Sequence, residues 1–166
     1  MGLNDDEFSS SRAQNTPEFM KTIPLLTSIL TFLHKTLPPQ VFLLVFRQFS
    51  LDLQAHLWEW IVTAHRFSTL GGILFSRDMY ALWDACSQFV PSPELYMKRL
   101  HEAVILLSLP SNVGSAPIEE GITLATVTEQ LRQTNETDVE KATELKNWLA
   151  ENLKVDTLSL PEVLYM

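Results

Sequence analysis

Apolar residues recur along this chain at spacings of three and four, and no segment of useful length alternates with period two. The pattern therefore predicts helices throughout. Phe19, Ile23, Leu26, Ile29, Leu30 and Leu33 mark a first helix. Thr16-Pro17-Glu18 reads as its start, with Thr16 as cap and Pro17 in the first turn. Pro24 interrupts the pattern, so the helix either kinks there or begins there with Thr22 capping. It is expected to stop near Leu37, before Pro38-Pro39.

Pro39 suits the first position of a second helix. No Gly or Pro follows until Gly71, so that helix is expected to run unbroken from about 39 to 66, roughly 40 Å. Val41, Leu44, Val45 and Leu51 form one stripe, and Phe42, Phe46, Phe49, Leu53, Leu57, Trp60, Ile61 and Ala64 form another. A helix apolar on most of its circumference is expected to be central and packed on more than one side. The Val/Phe-rich stretch 41–46 is the one strand-like candidate, and its long helical continuation argues against a strand.

Gly71-Gly72 punctuates the chain, and Ser68 or Thr69 can cap the helix that follows. That third helix carries Leu74, Phe75, Met79, Leu82, Trp83, Cys86 and Phe89. Val90-Pro91-Ser92-Pro93 ends it, and Ser92 is expected to cap a fourth helix with Pro93 in its first turn, reaching about Leu109. Pro110 to Gly121 reads as a linker. Thr123 is expected to cap a short helix with Leu124, Val127 and Leu131. Glu136–Leu153 gives another, and Ser159-Leu160-Pro161-Glu162 starts a last turn. The fold class is all-α, an antiparallel helical bundle. Its organisation is read as a disordered leader (1–16), a main helical bundle (17–110), a linker (111–122) and C-terminal acidic helices packing on the bundle (123–166).

Chemistry is sparse in this pattern. His34, His56, His65 and His101 form neither an HExxH nor a pair four residues apart, and no metal site is expected. No G-x-S-x-G, GxGxxG or GxxxxGK spacing occurs, so no catalytic or cofactor residues are assigned. Cys86 lies on an apolar helical stripe and reads as a core residue. Asp78 and Asp84 fall on different helix faces. Trp58 and Trp60 point about 200° apart, so one is expected inside and the other is a candidate partner contact.

Composition sharpens this reading. The 166 residues are 46% hydrophobic and 19% charged, with a net charge of −8. Residues 17–110 hold seven basic and seven acidic side chains, whereas residues 111–166 hold four and ten. The acidity belongs to the tail, and no basic stretch offers a nucleic-acid footprint. No apolar run reaches the roughly 18 residues of a membrane span. The polar, acidic start does not read as a signal peptide, and Asp6 stands where a myristoylation motif needs Ser or Thr.

Three segments carry a resemblance. Leu57-Trp58-Glu59-Trp60-Ile61-Val62, Phe67-Ser68-Thr69-Leu70-Gly71-Gly72 and Arg77-Asp78-Met79-Tyr80-Ala81-Leu82-Trp83 resemble the C-terminal signature of the RINT/TIP family, the Rad-fifty interactor of animals and the Tip-twenty-like proteins of fungi. Leu100 to Leu107 matches the family's next helix, and the tail resembles the fungal branch. The likeness covers about residues 22–163, with Ile73 departing from an expected Gln. It implies the C-terminal part of a helical rod in the Dsl/NRZ vesicle-tethering complex. It further implies Golgi-to-ER retrograde transport, protein partners among tether subunits and an endoplasmic-reticulum SNARE, and a peripheral place on the cytosolic face of that membrane. The signature residues Phe67, Gly71, Gly72 and Asp78 are expected to build a helix-to-helix corner. The alternatives are a helical small-molecule-binding or enzymatic domain, or a truncated fragment without independent function.

Overall fold

The computed structural model describes residues 16–109, 139–159 and 163. These residues form five α-helices and no strand: α1 (Pro17–Thr36), α2 (Pro39–Leu57), α3 (Thr69–Ser87), α4 (Lys98–Leu107) and α5 (Val139–Leu153). The chain is an all-α helical bundle. The expected leader, the linker at 111–122 and the short helix after Thr123 lie outside the described residues, apart from Thr16.

The helix ends follow from local chemistry. Leu37 precedes a proline, which disfavours helical backbone. It sits at φ −94° and ψ 146°, and α1 stops there. Pro38 is extended as well, and Pro39 opens α2 with its φ already set. Pro24 neither starts nor breaks α1. Side chains of Thr22, Thr27, Thr31 and Thr36 donate to the carbonyls four residues back. Such back-bonding is tolerated in helices at little cost.

The second helix departs from expectation twice. It does not run unbroken to residue 66. At Trp58–Val62 the ladder widens to a π-helical turn, closed by the Thr63 N–H on the Trp58 carbonyl at 2.9 Å. The Thr63 hydroxyl donates to that same carbonyl, which stabilises the wider turn and ends the helix. Nor is α2 packed on more than one side. Phe42, Phe46 and Ser50 are buried, while Val41, Leu44, Val45 and Leu51 are exposed. Periodicity marked both stripes as apolar, but the first is exposed, and the second is covered only in part, with Trp60 and Ala64 exposed as well.

Ser68 caps α3, its hydroxyl accepting the Gly71 N–H at 3.1 Å. After α3, Ser92 adopts a left-handed conformation (φ 48°) and offers no side-chain cap. Pro93–Met97 form a 3₁₀ turn before α4 starts, so the fourth α-helix is shorter than expected. The first-turn N–H of Leu100 is instead met by the Gln54 side chain of α2, at 3.3 Å. The core joins all five helices. Leu30, Phe46, Val62, Met79, Trp83, Cys86, Leu100, Val104, Leu145 and Leu149 lie within one cluster, together with Val155, Leu158 and Val163 from the tail.

Candidate protein-interaction surface

Phe67, Gly71 and Gly72 come together where α3 begins. A Cβ on Gly72 would stand 2.6 Å from the Leu107 carbonyl oxygen at the end of α4. Only a residue without a Cβ permits this approach. Four residues on, the Ser76 hydroxyl contacts the Gly72 carbonyl at 2.8 Å and the Val104 carbonyl at 3.2 Å, bridging α3 to α4. The Phe67 ring packs on Phe75 at 5.4 Å between centroids.

Asp78 serves a different junction. It is buried, and its carboxylate accepts the Thr16 N–H at 3.0 Å and the Thr16 hydroxyl. Thr16 thus spends its hydroxyl on α3 and makes no side-chain cap to α1. Asp78 pins the start of α1 rather than the glycine corner.

Sequence reasoning passed over Glu102, which is 1% exposed. Its carboxylate accepts the backbone N–H groups of Thr157 and Leu158. The adjoining Lys98–Asp156 ion pair lies at the surface. The hydrogen bond from Lys98 lowers the Asp156 pKa and in turn raises that of Lys98. The signal in the sequence was one acid set among core-spaced Leu100, Ala103, Val104 and Leu106.

The candidate chemical groups are dispersed. His34 lies edge-on to Phe42, His56 lies beside Trp60, and His101 stacks edge-on against Trp83. Among the described residues, no three His, Cys, Asp or Glu side chains converge as metal ligands do. Cys86 is fully buried, and burial pushes its thiol up to about 11. An open cleft of about 440 Å³ beside α3 is lined by Tyr80, Trp83, Asp84 and His101, among others. Neither His56 nor His65 reaches it.

The tryptophan pair separates as the 200° divergence requires. Trp58 is 8% exposed, and the Arg99 guanidinium lies 3.8 Å from its ring centre. Trp60 is 61% exposed. Separate sets of exposed apolar side chains lie on α1 (Leu25, Ile29 and Phe32) and on α2 (Val41, Leu44 and Leu51). Leu25, Phe32 and Leu44 each leave more than 60% of their surface in solvent. Exposed apolar side chains are ordinary when scattered, but sets along single helix faces mark interaction surfaces. None of the described helices is long and apolar enough to cross a membrane.

The fold is a helical bundle that leaves apolar faces exposed on its first two helices. The RINT-1/TIP-1 family model matches residues 3–166, and the chain belongs to that family. Membership suggests a tethering-type role. No curated protein and no solved structure matches the chain.

Proposed function

We propose that this chain is a non-enzymatic helical interaction domain of an endoplasmic-reticulum vesicle tether acting in Golgi-to-ER retrograde transport. Its partners in this reading are tether subunits and an endoplasmic-reticulum SNARE. It sits peripherally on the cytosolic face of that membrane, held by those partners. The observation that carries the reading is the exposed apolar face on each of α1 and α2 of an otherwise well-filled bundle. Such a surface suits helix-in-groove association, where a few apolar anchors supply most of the affinity. Family membership supports the tethering context. Binding of the purified chain to the cytosolic part of an endoplasmic-reticulum SNARE, followed by isothermal titration calorimetry, tests it. Saturable binding is expected. No heat of binding from protein that shows a cooperative thermal transition would remove the SNARE from the reading.

A further inference from the structure

The outward face of α1 has an order that singles out one kind of partner. Lys21, Leu25, Ser28, Phe32 and Lys35 are spaced four, three, four and three residues apart, and all five are exposed. At 100° per residue they stay within about 40° of one line along the helix. The line is about 21 Å long. It has a lysine at each end and Leu25 and Phe32 between them on either side of Ser28, with Ile29 exposed at its flank. No acidic residue lies between the two lysines in sequence. Residues 17–57 hold three basic and two acidic side chains, whereas the rest of the chain holds nine and eighteen. The apolar face therefore sits on the least acidic part of an acidic protein.

We propose that this line on α1 docks an amphipathic helix of a partner protein carrying a carboxylate at each end of its apolar stripe, about 14 residues apart. This rests on the interaction reading above and names the face and the chemistry that it uses. The partner's apolar side chains at helical spacing cover Leu25, Ile29 and Phe32. Its two carboxylates meet Lys21 and Lys35 at opposite ends and fix the register. A second copy of this chain does not fit the same face. Antiparallel pairing about a twofold axis sets Lys21 against Lys35 at both ends, and parallel pairing sets each lysine against itself. A lipid surface fits less well, because membrane-surface helices carry cations along the edges of a broad apolar face. Here the charges close the ends of a narrow one.

The test uses the full chain, the double variant Lys21→Glu/Lys35→Glu, and a synthetic helical peptide of about 18 residues with leucines on one face and glutamate at both ends of it. Both positions are exposed, so the variant should keep its far-ultraviolet circular dichroism and thermal midpoint, which serves as the folding control. The wild-type chain should bind the peptide, and the double variant should lose roughly tenfold or more in affinity. A peptide with lysine in place of both glutamates should restore binding to the variant. Peptide binding that ignores the charge reversal would overturn the proposal, as would absence of peptide binding. Self-association of the wild-type chain that the variant abolishes, measured by sedimentation, would overturn it in favour of a homotypic contact. Flotation with anionic vesicles without peptide binding would overturn it in favour of lipid. The SNARE arm separates the two levels of the argument. SNARE binding unaffected by charge reversal leaves the proposed function standing and removes this face, whereas lysine-dependent peptide binding without SNARE binding does the reverse.

Discussion

Thr157 presents its backbone N–H to the buried carboxylate of Glu102, at 2.9 and 3.1 Å from the two oxygens. The Leu158 N–H joins at 3.0 Å. A carboxylate held by main-chain donors is a strong acceptor, with bonds to a charged group worth about 1.5–3 kcal/mol each. Glu102→Ala should therefore destabilise the chain by about 3 kcal/mol. Glu102→Gln keeps an acceptor and should cost about half as much. Urea denaturation would check both, and equal stability of wild type and Glu102→Ala would show that the tail contact carries nothing.

Gly71 and Gly72 should respond to alanine very differently, Gly71 little and Gly72 strongly. At Gly72 the new methyl meets a backbone oxygen at 2.6 Å, so α3 and α4 must part, at about 2–3 kcal/mol. At Gly71 the nearest atom is the Ser68 hydroxyl at 3.2 Å. The helix propensity gained there, up to about 1 kcal/mol, offsets the pressure on the cap. A thermal midpoint for Gly72→Ala close to that of Gly71→Ala would contradict the close approach.

The two tryptophans allow a clean contrast. Trp58→Ala removes a buried side chain and the face on which Arg99 rests, and should cost about 3–5 kcal/mol. Trp60→Ala should change stability by less than about 0.5 kcal/mol. Partner binding should show the reverse ranking. A Trp60→Ala variant with full affinity for every partner would exclude that side chain from the interface.

Cys86 titrates in the alkaline range. Burial raises its folded pKa to about 11 from an ordinary 9.0. The folded state then holds the proton more tightly than the unfolded state, so this contribution is intact below pH 9. It is lost as pH rises toward 11, and would amount to roughly 2–3 kcal/mol if the whole shift were expressed. The wild type should lose stability more steeply than Cys86→Ala between those values. Labelling by an aromatic disulfide should be slow at neutral pH and accelerate on unfolding. Rapid labelling of the native chain would contradict the burial.

Much of this architecture was legible in the residues. The three-and-four spacing of Phe19 to Leu33 placed α1, and Pro38-Pro39 placed the break after it. The divergence of Trp58 and Trp60 followed from helical geometry alone. Other features leave no such mark. A periodic stripe shows that a helix face is apolar, not that a neighbour covers it, so Leu44 and Leu51 read like core residues. The π-helical turn depends on the Thr63 N–H reaching a carbonyl five residues back, a shift of one residue that no periodicity records. The partners of Glu102 are peptide N–H groups more than fifty residues away, which every residue except proline possesses. Asp78 fitted the signature, but its bond to Thr16 joins α3 to α1 and leaves no periodic trace.

The ten-residue α4 is too short to persist alone in water. Its first turn takes an acceptor from Gln54, its Val104 carbonyl accepts a hydrogen bond from the Ser76 hydroxyl, and its acid takes two donors from the tail. Each loan comes from a segment 28 to 56 residues distant. This helix cannot mature ahead of the rest, and its amides should exchange with deuterium only when the whole bundle opens. The same dependence predicts one cooperative melting transition for the described helices rather than separable steps, with α4 as the keystone.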